Sequence, residues 1–208
     1  MKKSEFTHLF PKEKSEQDAP PTKAAKKAVL VLFTLFLFLY IEYKPYATVP
    51  HHITGISGYL FTIYHFIINQ TLGIVHEAGH GVCYILPCPK FAMVAMGTVF
   101  QWLFPLGIAL YYRKKGNTMA FLIGLFILGI SMDYTGWYMS TAHEGPILPA
   151  HKSFLGVDAY HDFYYIFNSL GVLAHESLIS GVTRIIGYLL MIGSVIAMFF
   201  EAFSNKHP

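Results

Sequence analysis

The sequence predicts an all-α membrane protein: a polytopic bundle of transmembrane helices with five or six hydrophobic segments, one a candidate for re-entrance. Three observations predict it. The chain of 208 residues is 54% hydrophobic and only 13% charged, about half the charge a soluble domain uses to cover its surface. The charges are also clustered: residues 28–41, 53–75, 91–112 and 185–200 contain no Asp, Glu, Lys or Arg, and 118–142 contains only Asp133. Several of these runs approach or exceed the roughly 20 apolar residues that cross a hydrocarbon core of about 30 Å. The net charge of +3 comes mostly from the N-terminal tail and one short loop. That distribution suits an orientation signal better than nucleic-acid binding, and no nucleic-acid partner is expected.

Residues 1–27 are polar, lysine-rich and proline-containing, the composition of a disordered tail, here expected in the cytoplasm. Residues 28–208 then form the membrane domain. The run Ala28–Ile41 is followed by Glu42-Tyr43-Lys44-Pro45, a poor cleavage site, so it reads as a retained first helix rather than a signal peptide. A second apolar region runs from about Gly58 to Leu86 and stops at Pro87 and Pro89, which cannot continue a helix. It is longer than one span needs, so a break near Asn69-Gln70-Thr71 is expected. Cys83 and Cys88 follow at a spacing that matches no strong metal motif; they read as packing residues, with a bridge left open.

Phe91–Tyr112 contains Gln101 and Pro105 and closes on Arg113-Lys114-Lys115. Positive charge favours the cytoplasmic side, and three full crossings would separate this basic loop from the basic tail. Phe91–Tyr112 is therefore the candidate for re-entrance, a conformation tolerated where protein buries it or a wet cavity borders it. Met119 to about Tyr138 forms the fourth segment, residues 140–162 a polar loop, Phe163 to about Ile179 the fifth segment, and Ile185 to about Phe203 the sixth. The expected location is a plasma membrane of the bacterial inner-membrane kind, multi-pass, with the N-terminus cytoplasmic.

The chemistry resides in His76-Glu77-Ala78-Gly79-His80. On a helix, the two histidines project from one face, one turn apart, where they can hold one zinc ion. Glu77 can then reach a water at the metal and act as general base. Glu77 is the one acidic residue between Glu42 and Asp133, and an ionisable group in a membrane helix is expensive enough to suggest function. Gly79 and Gly81 bare the backbone for close approach.

These residues resemble the intramembrane zinc metalloproteases of the site-2 protease type. The resemblance covers the motif helix, its apolar polytopic setting and the candidate re-entrant segment. It implies that His76 and His80 bind zinc and that Glu77 activates water to cleave a peptide bond of a membrane-associated protein or peptide. That family's later Asn-x-x-Pro…Asp-Gly motif, which supplies a carboxylate ligand, is missing here; Asp133 sits in Ile130-Ser131-Met132-Asp133-Tyr134.

A catalytic zinc site needs a third protein ligand. His161 of the His161-Asp162 pair is favoured, with Asp162 orienting it or binding in its place; otherwise Asp162 caps a helix and His161 faces water. Asp133, alone in an apolar segment, is the strongest rival, and Glu176 beside His175 is another. Gln101 is a polar residue that either contacts substrate or satisfies backbone freed by a nearby proline. His51, His52 and His65 carry no assigned role. Two other classes compete: a different membrane metalloenzyme, or a non-catalytic protein in which the motif is polar packing. Di-iron histidine-box chemistry needs further paired boxes, and no such pair follows the motif.

Overall fold

The computed structural model describes residues 22–46, 55–153 and 156–204. The expected tail lies mostly outside these residues, as do His51 and His52. Six α-helices form the described structure: α1 (Lys23–Tyr43), α2 (Gly55–Ile85), α3 (Lys90–Lys114), α4 (Thr118–Ser140), α5 (Asp162–Leu170) and α6 (Glu176–Phe203). Short 3₁₀ turns at Ala142–Glu144 and Leu173–His175, and a two-stranded antiparallel ribbon of β1 (Ile147–Leu148) with β2 (Ala159–Tyr160), complete it. The all-α class expected from the sequence is the class observed.

Four helical stretches among the described residues are long and apolar enough to cross a bilayer: α1, α3, α4 with the turn after it, and α6 with the turn before it. Their outer faces carry large apolar side chains such as Phe38, Leu189 and Phe200, which suits contact with lipid. α2 is the longest helix at 31 residues, yet it is not among the four, because His65, Asn69, Gln70, His76, Glu77 and His80 dilute its apolar character.

α4 is the central post. Of its apolar stretch 67% is buried, against 11% for α1 and 28% for α6. Glycines let its neighbours close in. A Cβ on Gly129 would lie 2.6 Å from the Gly187 carbonyl oxygen of α6, and one on Gly124 would lie 2.7 Å from Ala109 Cβ of α3. Small residues of this kind let helix backbones approach where lipid supplies no hydrophobic drive.

Four sequence expectations change. α3 is not interrupted: it runs as a helix straight through Pro105. Proline removes the N–H that would have bonded the Gln101 carbonyl, and Ser131 Oγ of α4 donates to that oxygen instead at 3.3 Å. α2 does not break at Asn69-Gln70-Thr71; Asn69 Oδ1 accepts from Tyr46, and Thr71 Oγ1 donates to the Ile67 carbonyl of its own helix. The fifth segment is not one span. Gly171 takes a left-handed conformation (φ 68°) and ends α5 after nine residues, and the chain re-enters a helix at Glu176. The helical tail boundary also moves: α1 begins at Lys23, with Thr22 Oγ1 accepting from the Ala25 N–H, rather than at residue 28.

The bundle has two chemically different ends. At one, Leu30, Met119, Leu122, Met198 and Ala202 cluster, which brings together the start of α1, the start of α4 and the end of α6. Lys26 Nζ pairs with Glu201 at 2.5 Å, and Arg113 lies over Phe121. Both basic segments therefore share one end. At the other end, Tyr138, Met139, Ala142, Leu148, Phe163 and Phe167 form a second cluster beneath the loop.

Asp133, the rival third ligand, lies between these ends and faces other helices. It is fully buried and accepts from Tyr40 of α1 and Arg184 Nε of α6, each at 2.8 Å. It is a clasp between α1, α4 and α6. Removing one partner of a buried ion pair strands the other charge. Asp133→Ala is expected to cost about 3 kcal/mol of stability, read as a lower melting temperature in detergent.

Candidate metal centre

The motif helix ends where α2 turns through Pro87 into α3, so the two helices run antiparallel and the histidines face α3. Each ring is oriented by a carbonyl oxygen. His76 Nδ1 donates to Gln101 Oε1 at 3.0 Å, and His80 Nδ1 donates to the Met93 carbonyl at 2.8 Å. An imidazole that donates from Nδ1 presents its Nε2 lone pair outward, the arrangement metal-binding histidines adopt. Here both Nε2 atoms point at each other, 3.1 Å apart.

A carboxylate completes the triangle. Asp162 Oδ2 lies 2.9 Å from His76 Nε2 and 3.3 Å from His80 Nε2. Tetrahedral zinc with bonds of about 2.0–2.1 Å separates its ligand atoms by about 3.3 Å, so the three atoms stand at the spacing of one face of such a tetrahedron. Two facing lone pairs beside a carboxylate repel unless a proton or a metal ion lies among them. The donor set, two imidazoles and one carboxylate, can therefore hold a metal ion and has the composition of a catalytic zinc site.

His161, the favoured third ligand, does not join this group. It is the N-cap of α5: its Nδ1 accepts from the Tyr164 N–H, and its Nε2 donates to Thr141 Oγ1 at 3.0 Å. Its ring stacks on Tyr138 with centroids 4.5 Å apart. Burial pushes its pKa down to about 4, which keeps it neutral and suited to accepting at a helix start. The residue that turns inward is its neighbour, because the first turn of α5 points Asp162 at α2. Burial acts to raise the Asp162 pKa, but its hydrogen bonds to His76 and His80 outweigh that and hold it low. Glu176 is also elsewhere; it accepts from the N–H and Nδ1 of His143, at 2.7 and 2.5 Å.

Two of the supporting residues, Tyr138 and Gly97, carried no signal in the sequence. Tyr138 anchors the third ligand twice, since its hydroxyl accepts from the Asp162 N–H at 3.0 Å while its ring lies against His161. Gln101, singled out as a lone polar residue in an apolar run, is fully buried and orients His76. Gly97 of α3 faces the metal ligands directly. A Cβ there would stand 2.5 Å from His80 Nε2 and 2.6 Å from His76 Nε2. Gly79 is needed on the opposite helix, where a Cβ would collide with the Met96 carbonyl and lie 2.9 Å from Phe100 Cβ. Gly81 meets nothing within 4 Å, so close approach is not its role.

The triad forms one wall of a cavity of about 370 Å³, which Glu77 also lines, together with Lys90, Tyr134, Tyr138, Tyr160 and others. Glu77 is exposed on α2 next to His76, free to meet a solvent molecule at the site. Comparisons with protein-family models, with curated proteins and with solved structures find no match for this chain.

Zinc content of detergent-purified variants tests the ligand set. Asp162→Ala is expected to lose zinc, and His161→Ala to keep about one ion per chain despite lower stability. Gly97→Ala is expected to lose it because the added methyl displaces both rings, whereas Gly81→Ala retains it. Zinc lost from His161→Ala but kept in Asp162→Ala would reverse the assignment.

Proposed function

We propose that this chain is an integral membrane zinc metallopeptidase, of the site-2 protease type that its motif resembles, hydrolysing a peptide bond in a membrane-associated protein or peptide. The observation that carries this reading is the convergence of His76 Nε2, His80 Nε2 and Asp162 Oδ2 within 3.3 Å of one another, in a cavity that Glu77 shares. Three ligands leave a fourth position of a tetrahedral ion open, as catalytic rather than structural zinc requires.

Bound there, zinc would supply Lewis-acid chemistry, making water acidic near neutral pH and polarising a substrate carbonyl. The chain's own residues supply the remainder. Glu77, one position from His76 and open to the cavity, accepts the proton of the attacking water. It then delivers that proton to the departing amine nitrogen, so a C–O bond forms as the C–N bond breaks. Gln101 and the Met93 carbonyl hold the histidine rings in register, and Tyr138 holds the backbone of Asp162. The aromatic side chains of the cavity offer an apolar wall for a peptide side chain.

The membrane setting follows from the four apolar helices. We read the end bearing Lys23, Lys26, Lys27, Arg113, Lys114 and Lys115 as cytoplasmic, since positively charged flanks are retained on that side. This places the N-terminus in the cytoplasm of a cell whose plasma membrane holds the protein. α3 is then a full crossing, and the long polar-marked α2 is the segment that departs from simple alternation.

Glu77→Gln separates catalysis from metal binding. The variant is expected to keep about one zinc per chain while hydrolysis of a peptide library presented in detergent micelles falls by about 10²–10⁴-fold. Loss of zinc together with activity would give Glu77 a structural role. A zinc-loaded wild-type protein inert towards peptides would leave the reading of a non-peptidase metalloprotein.

A further inference from the structure

We infer that the metal centre opens on the non-cytoplasmic, oxidising face of the membrane, so that its substrates are polypeptide segments exposed on that side. The inference rests on the membrane reading above and adds the compartment from which substrate arrives.

Two independent features at opposite ends of the bundle carry it. The first is charge. Six of the described lysines and arginines, namely Lys23, Lys26, Lys27, Arg113, Lys114 and Lys115, sit at the end formed by the start of α1, the turn between α3 and α4, and the end of α6. Lys2, Lys3, Lys12 and Lys14 precede α1 in the sequence. Toward the other end lie Lys44, Lys90 and Lys152, and the excess of positive charge marks the cytoplasmic side.

The second feature is redox chemistry at the other end. Cys83 and Cys88 form a disulfide with Cα atoms 5.2 Å apart. It spans the turn from α2 into α3, less than one helical turn beyond His80. Disulfides persist in oxidising compartments and are rare in the cytosol. The sequence left these cysteines as packing residues with a bridge open, and the pairing now marks a side.

The metal centre belongs to the disulfide's end. His80 lies three residues before Cys83, and the Met93 carbonyl that orients it lies five residues after Cys88. Asp162 arrives from the loop after α4, which leaves the bundle at that same end. Besides α2, α3 and α4, this loop lines the cavity, through Leu148, Ser153, Ala159 and Tyr160. A chain segment on the oxidising side reaches the site by passing that loop; one in the cytoplasm would have to traverse the bundle.

Cysteine labelling in intact cells tests this on the full chain. Val157 is 56% exposed in the loop at the site end, and Thr118 is exposed beside the basic turn. Val157→Cys is expected to react with a membrane-impermeant maleimide in intact cells, and Thr118→Cys only after permeabilisation. The wild-type chain, alkylated without reductant, is expected to show no free thiol and to show two after reduction. The opposite labelling pattern, equal labelling of both variants, or two free thiols in the unreduced wild type would overturn the inference. Zinc content of the same preparations is read in parallel. Reversed topology with zinc retained removes only the compartment, whereas loss of zinc from correctly oriented protein removes the metallopeptidase reading.

Discussion

The close approach of α2 to α3 is the constraint on which the rest of the site depends. The histidines of α2 are held by groups on α3, the Gln101 side chain and the Met93 carbonyl, and neither could reach if the helices stood further apart. That distance is set by absent side chains. Gly79 lets α2 settle onto the Met96 carbonyl, and Gly97 leaves room for both imidazoles. A methyl group at either position would separate the helices or turn the rings. Polar groups buried without partners cost several kcal/mol in an apolar setting, so the same contact that aims the lone pairs also makes the motif affordable at depth.

Asp162, the third donor of the candidate site, comes from a different part of the chain, and α4 links it to the two histidines. Tyr138 at the end of α4 anchors the Asp162 backbone and supports His161. Thr141 just beyond accepts from His161. The short helix α5 is thus fixed at its first turn by three contacts, and the carboxylate it presents inherits that precision. Below, the Asp133 clasp with Tyr40 and Arg184 ties α4 to α1 and α6. One buried acid, Asp133, holds the helices together, and a different one, Asp162, faces the two imidazoles.

Much of this was legible in the sequence, and the failures have physical causes. Charge-poor runs located α1, α3, α4 and α6, because helices packed against lipid or other apolar helices carry few ionised groups. The four-residue spacing of His76 and His80 announced a shared face. The sequence favoured His161 as the third donor, whereas the side chain that faces the two imidazoles is its neighbour Asp162. At a helix start, adjacent residues point in divergent directions, and only the capping geometry decides which one faces inward. Pro105 and Gln101 suggested a break in α3. What cancels it is Ser131 on another helix, a tertiary partner no local pattern reveals. Gly171 ended the fifth segment early, although the apolar run continues past it. Gly97 looked like any other helical glycine, since its value lies in what a neighbouring helix brings against it.

X-ray absorption spectroscopy at the zinc edge of the zinc-loaded wild-type protein reads the proposed ligand set itself. Two imidazole nitrogens and light oxygen ligands at about 2.0–2.2 Å are expected, four-coordinate in total, with no sulfur. Sulfur scattering at about 2.3 Å, which would draw Cys83 and Cys88 into the metal shell, or a first shell with three or more imidazoles, would contradict it.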